Sequence, residues 1–317
     1  MTSDRFTRGI YAPIPTFFKT NSPPGGIDVE LVKKHVLTIA RAGVKGVLTC
    51  GSYGEGPLTS REERIELVKA IRETFDANGF EDRVILHGVS DNSYLTAIQN
   101  ACDAYDAGAD GVLATPPGYY AGQINDSFLI NYYTQLADHS PLPVYLYSFP
   151  AVSAGIDLTS DLIIKLMKHP NIVGAKFTCG NVGKITRVLH VDPTFRALSG
   201  YADFLVPAVA LGSVGAIAGP ANIIPSVLVN LFEDIESGDF ATAFKLQKNV
   251  AVYDNEISSM GIEGTKIILS RFYGRPAGSP SESVRAPPNN YTPEQVEKLV
   301  ELGNKYFKPE KETVGSK

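Results

Sequence analysis

Short apolar runs alternate with longer amphipathic stretches along most of this chain. Residues 10–18, 44–51, 83–89, 111–117, 143–149, 172–178, 195–200 and 214–220 are short, rich in Val, Ile and Gly, and largely apolar on both faces. Strands covered by helices on both sides have that pattern, whereas a half-solvated sheet alternates polar and apolar positions. Helix-like stretches lie between these runs. From Asp28 onward, Leu31, Val32, Val36 and Ile39 recur near helical spacing. Thr59 offers an N-cap with Glu62 three residues on, ahead of Ile65, Leu67 and Val68. Further helices are expected from Ser93, up to about Ala137, and over residues 157–167, where His169-Pro170 closes the stretch. Eight strand–helix units in succession predict an α/β fold, a closed (β/α)8 TIM barrel, with an open parallel sheet as the alternative.

After Asn222 the pattern turns helical without clear strands. Residues 232–253, 265–273 and 292–307 read as added helices, and the Pro/Gly/Ser-rich stretch 274–290 as a loop. The expected organisation is a barrel carrying the active site over residues 1–224 and a C-terminal helical extension over 225–317. The strand–helix alternation is a structural repeat, with no fixed-period sequence repeat behind it.

Composition narrows the function classes. Apolar residues make up 44% of the 317 and charged residues 20%, as in ordinary globular domains. A net charge of −5 gives no basic field for nucleic acid. No apolar run approaches the roughly 20 residues of a membrane span. The first residues carry neither an apolar signal core nor an Arg-rich transit helix, and Val314-Gly315-Ser316-Lys317 is not a peroxisomal ending. Cys50, Cys102 and Cys179 are too few, and odd in number, for a disulfide framework. A cytoplasmic location is the expectation.

Parallel barrels gather their active sites where the strands end. In order, those ends include Gly51-Ser52-Tyr53-Gly54-Glu55, Thr115-Pro116-Pro117-Gly118-Tyr119-Tyr120, Tyr147-Ser148-Phe149-Pro150, Lys176-Phe177-Thr178, Ser199-Gly200-Tyr201 and Ala216-Ile217-Ala218-Gly219-Pro220. Lys176 stands out in an otherwise apolar strand. Alternation puts Val173, Ala175 and Phe177 on one face and Gly174, Lys176 and Thr178 on the other. If the first set faces the helices, Lys176 points into the barrel. Burial there lowers the pKa of a lysine from about 10.4 and supplies the neutral amine that carbonyl attack needs. A lysine that snorkels to solvent or pairs with a carboxylate fits the strand equally well. Tyr147 can relay protons beside an imine, or fill the core with its hydroxyl satisfied. The glycines around Ser52 and Tyr53 permit a turn whose N–H groups cradle an anion, or an ordinary strand–helix turn. The five histidines, His35, His87, His139, His169 and His190, show no ligand spacing, which argues against a metal. Residues 212–219 are glycine-rich but lack phosphate-loop spacing.

Three of these motifs, in this order, resemble the dihydrodipicolinate synthase / N-acetylneuraminate lyase family of Schiff-base enzymes, over about residues 11–273. They are the Gly-x-x-Gly-Glu turn at Gly51 to Glu55, Tyr-x-x-Pro at Tyr147 to Pro150, and Gly-x-Lys at Gly174 to Lys176. The resemblance implies a (β/α)8 barrel with extra C-terminal helices, assembled as a homo-oligomer, a tetramer or a dimer. It implies a small 2-oxo acid substrate and no metal or organic cofactor. Lys176 then corresponds to the Schiff-base lysine, Tyr147 to the proton relay, and Ser52 to the hydroxyl that links the relay. Tyr120, or its neighbour Tyr119, corresponds to a tyrosine lent across a dimer interface. The N–H groups of Ser52 and Tyr53 hold the substrate carboxylate, and Gly200 and Ile217 are further substrate contacts.

Departures from the family pattern refine the substrate. Tyr53 stands where a small residue or asparagine is usual, so its ring is expected to narrow the site or add a hydroxyl. Ser148 stands where asparagine is frequent. The synthases carry an arginine after the strand 5 motif for a second carboxylate, and Ala151-Val152-Ser153-Ala154-Gly155-Ile156 has none. The segment from Tyr147 to Arg187 looks most like fungal 2-keto-3-deoxy-L-galactonate aldolases, and is also similar to 4-hydroxy-2-oxoglutarate aldolases. The expected reaction is cleavage of a 2-keto-3-deoxy sugar acid to pyruvate and an aldehyde. The alternatives are the synthase reaction, a dicarboxylate aldolase, a non-catalytic 2-oxo acid sensor, which need not keep a nucleophile, and a phosphate-binding barrel, for which no motif speaks.

Overall fold

Eight short strands pair in parallel in chain order and close into a barrel, the last against the first. They are β1 (Gly9–Pro13), β2 (Gly46–Thr49), β3 (Val84–Gly88), β4 (Gly111–Ala114), β5 (Val144–Ser148), β6 (Ile172–Phe177), β7 (Arg196–Ser199) and β8 (Gly215–Ile217). This is the predicted (β/α)8 barrel and not the open sheet. The structure is a computed structural model, which describes residues 5–19, 26–273, 284–287 and 291–306. The helices around the sheet are α1 (Val29–Arg41), α2 (Arg61–Asp76), α3 (Tyr94–Asp106), α4 (Asp126–His139), α5 (Ser160–Leu166), α6 (Val182–Val191), α7 (Leu205–Ala210) and α8 (Pro225–Ser237). Two more follow, α9 (Phe240–Tyr273) and α10 (Pro293–Tyr306).

The strands are shorter than their apolar runs because the runs continue into loops that are buried without joining the ladder. Ile14, Phe17 and Phe18 beyond β1 are examples. Helix boundaries follow capping chemistry. Ser60, not Thr59, caps α2: its hydroxyl accepts from the Glu63 amide at 3.2 Å, and the Glu63 carboxylate accepts from the Ser60 amide at 2.9 Å. Thr159 caps α5, so residues 157–159 precede the helix instead of opening it. The stretch predicted as one helix from residue 232 divides at Gly238, whose left-handed conformation (φ 84°) ends α8. Residues 254–264, expected to separate two helices, are helical except for a kink at Gly261. Of the predicted loop 274–290 only residues 284–287 are described, and Phe307, the predicted last residue of α10, also lies outside the described residues.

Alternation along the strands creates two cores. Inside the barrel, Tyr11, Leu48, Leu86, Tyr145, Leu198 and Ile217 pack together; between sheet and helices lie Val47, Ile85, Val112, Leu146, Ala175 and Ala197. Val173 departs from the predicted outward face. The β5–β6 register shifts between Val144 and Tyr145, and the half-buried Val173 packs against the inner cluster instead. The amino end of the barrel is plugged. Phe6 stacks on Tyr11 at 5.1 Å and leans on Tyr145 at 5.7 Å, each pair contributing about 0.5–1.5 kcal/mol. The opposite, carboxyl end remains as the mouth.

Closure of β8 onto β1 depends on Gly215. Its φ is 143°, and a Cβ there would sit 1.8 Å from the Gly9 carbonyl oxygen. Gly215→Ala is expected to cost about 3 kcal/mol or more. Gly122→Ala, where nothing lies within 4 Å, is expected to stay within about 0.5 kcal/mol. Denaturant titration of both variants is the check, and equal midpoints would contradict the closure argument.

Candidate active site

Tyr147 and Lys176 lie directly opposite each other on adjacent strands β5 and β6. Both are 4% exposed, and the Lys176 Nζ sits over the phenol face, 4.6 Å from its centroid. Burial pulls the Lys176 pKa down to about 7, while the attraction of Asp254 works the other way. The ring face favours the ammonium by about 0.5–2 kcal/mol; desolvation outweighs it. The snorkelling and ion-pair readings both fall away, since Lys176 is buried and makes no ion pair among the described residues. Burial raises the Tyr147 phenol above its ordinary value, against the pull of the nearby Thr178 and Ser52 hydroxyls. Thr178 Oγ1 is buried and falls short of full hydrogen-bond geometry, so that approach is loose.

The β2 turn brings Ser52 beside this pair. Cys50 and Glu55 flank it in left-handed conformations, φ 50° and 52°, which fold the turn back on itself. Among the described residues the Ser52 and Tyr53 amides have no protein acceptor, as an anion cradle requires. The Tyr53 ring reaches across the mouth. Its hydroxyl accepts from Thr265 Oγ1 at 3.4 Å and lies against Gly219, and burial raises its pKa well above the ordinary value.

Gly200 and Ile217 complete the far wall. A Cβ on Gly200 would lie 2.0 Å from Thr178 Oγ1, so only glycine lets the β7 turn approach β6 there. Ile217 is fully buried inside the barrel with Tyr147. Tyr201, next to Gly200, is half-buried and its phenol is pushed up to about 12 by burial. Tyr120 does not join the group within the chain. It is 66% exposed and packs edge-on against the exposed Tyr119, 4.9 Å between ring centroids.

A cavity of about 370 Å³ opens onto the site, its walls including Ser52, Tyr147, Leu113, Thr115, Val152 and Arg64. Tyr147 thus borders both this cavity and the amine. Cys50 also lines it, but burial pushes its thiol up to about 11, which leaves Lys176 the more available nucleophile at neutral pH. Among the described residues no three His, Cys, Asp or Glu side chains converge as metal ligands, and no helix is long and apolar enough to cross a membrane.

Three neighbours of the site were given no role in the sequence reading. Thr178 was detectable, two residues beyond Lys176 on the same face. Arg64 carried no signal; from α2 it donates to the Gly56 carbonyl at 2.6 Å and to Thr59 Oγ1 at 3.2 Å. Asp254 lies on α9, where its carboxylate accepts from the Ala202 and Asp203 amides at 2.6 and 3.1 Å. Burial first, and then Asp203, raise its pKa to about 7.

Comparison with known proteins places this geometry. The chain is 40% identical over 275 residues to an L-threo-3-deoxy-hexylosonate aldolase of Hypocrea jecorina, covering 84% of this chain and 87% of the relative. It is 35% identical over 318 residues to the enzyme of the same name from Aspergillus niger, covering 92% and 93%. A solved dihydrodipicolinic acid synthase family protein from E. coli K12, in complex with pyruvate, superposes with a TM-score of 0.83 at 28% identity, covering 94% of this chain and 98% of that one. The pattern of the dihydrodipicolinate synthetase family matches residues 6–304, and the chain belongs to that family.

Proposed function

We propose that this protein is a class I carbon–carbon lyase that cleaves a 2-keto-3-deoxy sugar acid to pyruvate and an aldehyde through a Schiff base on Lys176. The observation that carries the reading is the buried amine seated on the face of a buried phenol. At a pKa of about 7, about half the amine is neutral at pH 7, against roughly one part in three thousand at an ordinary lysine value. Lys176 attacks C2 of the substrate, and the Tyr147 phenol gives its proton to the departing hydroxyl as water leaves, so that its phenolate is the base for the next step. The iminium withdraws electrons from the C3–C4 bond, and Tyr147 takes the C4 hydroxyl proton as that bond breaks. The enamine left on Lys176 is protonated at C3, and water hydrolyses the iminium to release pyruvate. The covalent iminium is the electron sink, so the reaction calls for no metal or organic cofactor.

The other residues fill supporting roles in this reading. The Ser52 and Tyr53 amides hold the substrate carboxylate, and the Ser52 hydroxyl connects Tyr147 to the proton relay. Gly200 and Ile217 bound the substrate on the far side. Tyr120 acts from a second copy of the chain, which makes the working form a homo-oligomer. A cytoplasmic location accords with the three free cysteines. Val152 presents an isopropyl group to the cavity where a synthase would present an arginine, which favours a polyol tail over a second carboxylate. Arg64 in the same cavity supports a second reading, in which a dicarboxylate such as 4-hydroxy-2-oxoglutarate is cleaved. Turnover of keto-deoxy hexonates and pentonates, beside 4-hydroxy-2-oxoglutarate and the synthase pair of pyruvate with aspartate semialdehyde, separates these readings. A preference for the semialdehyde would reverse the argument from Val152.

Borohydride reduction in the presence of pyruvate is expected to label Lys176 and to leave Lys176→Ala unlabelled; peptide mass spectrometry reads the site. An unlabelled Lys176 beside a trapped control aldolase would refute the mechanism. The neutral amine is the reactive form, so the trapping rate should rise through about pH 7 and flatten above it. Asp254→Asn keeps an oxygen for the two amides but removes the charge that favours the ammonium, so the midpoint should move to lower pH. A midpoint near 10, or a move upward, would contradict this electrostatic picture. Tyr147→Phe should lower kcat for cleavage about 10²–10⁴-fold while Lys176 still traps pyruvate; unchanged steady-state cleavage would remove the phenol from the mechanism.

A further inference from the structure

The C-terminal part of the chain reaches the mouth of the barrel beside Ser52. Glu55, three residues after Ser52, is buried in a left-handed conformation that disfavours any residue but glycine. Its Oε1 accepts from Lys266 Nζ on α9 at 2.8 Å. Its Oε2 accepts from the backbone amides of Arg285 and Ala286 at 2.6 and 2.7 Å. The Arg285 guanidinium clasps the Glu63 carboxylate with two bonds of 2.7 Å, donates to the Leu58 carbonyl at 3.0 Å, and lies 3.9 Å from the centroid of the Phe18 ring. These bonds hold residues 284–287 against the β2 turn. Ala286, together with Ile262 of α9, thereby forms part of the wall of the cavity that Ser52 and Tyr147 line.

A buried ion pair on a strained backbone is an expensive way to join two loops, and an apolar contact would serve adhesion alone. The feature this arrangement fixes is the distance from Ala286 to the β2 turn. We infer that Ala286, held in place by Glu55, is a specificity-determining residue, whose small side chain sets the room for the part of the substrate beyond the pyruvate unit. Glu55 is then a positioning residue that acts through the 284–287 segment. The inference rests on the Schiff-base reading above, since that reading puts the reacting carbons beside Tyr147 and the tail in this cavity. Leu58, Val152 and Ile262 share the wall, so a larger group at 286 meets side chains already in place and has to project into the open volume.

The test is the ratio of kcat/KM for a 2-keto-3-deoxy hexonate to that for a 2-keto-3-deoxy pentonate, measured on the full chain. Ala286→Phe is expected to lower this ratio about tenfold or more, mostly through KM for the six-carbon acid. Ala286→Gly is expected to move the ratio the other way. A third variant, Glu55→Gln, keeps one acceptor for the two amides and sets an amide N–H₂ or a neutral oxygen against Lys266; it should also change the ratio, with circular dichroism reporting that the fold persists. Equal changes for both acids in Ala286→Phe and Ala286→Gly, or no change, would overturn the inference. Borohydride trapping of the wild-type chain with pyruvate keeps the two claims apart. An untrapped wild type overturns the Schiff-base reading, whereas a trapped wild type with an unmoved ratio overturns only the role of Ala286.

Discussion

The chemistry proposed for this protein depends on keeping one amine out of water. Lys176 ends a strand whose neighbours are apolar, and its ammonium can shed no more than a few contacts to water before the neutral form competes. Closure of the sheet and the tyrosines that fill its interior remove that water. The aromatic plug of Phe6, Tyr11 and Tyr145 shuts the amino end of the barrel, so access remains only from the carboxyl end. There the Tyr147 ring covers the amine. The same ring thus lowers the dielectric around Lys176 and brings a hydroxyl within the reach of a relay.

Electrostatics around the amine are arranged with little fixed charge. Lys176 lies over the Tyr147 ring, the Ser52 and Thr178 hydroxyls lie near that phenol, and the ionisable neighbour Asp254 is itself buried with its carboxyl pushed up to about 7. A full carboxylate in contact with Lys176 would restore the ammonium and suppress attack on a carbonyl. The buried acid–base pair of Glu55 with Lys266 flanks the β2 turn and is saturated by its own partners. Placing the charge there lets α9 brace the turn without acting directly on the nucleophile.

How much of this was visible in the sequence follows from the range of each interaction. Strands buried on both faces leave continuous apolar runs, so all eight were legible, and alternation set Lys176 on the face opposite Ala175 and Phe177, but which face points inward was decided only by the closed sheet. The same rule failed at Val173 because a register shift against β5 is a property of two strands, not one. Caps depend on four consecutive residues, and the misplacement by one residue at Ser60 arose because Thr59 and Ser60 are both competent caps. Contacts such as Glu55 with Lys266, 211 residues apart, and Asp254 with the Ala202 amide, 52 apart, leave no local trace. The roles of Tyr120, Gly200 and Ile217 came from family resemblance alone; the fold packs the latter two against the site, while Tyr120 stands exposed on the loop after β4 at the same end of the barrel.

The central claim is that burial holds Lys176 largely uncharged near neutrality. Its most direct measurement is an NMR titration of the free protein with isotope-labelled lysine, the Lys176 resonance assigned by comparison with Lys176→Met. A pKa near 7 for that single side chain is expected. A value above 10, in the range of solvent-exposed lysines, would contradict the claim and the chemistry built on it.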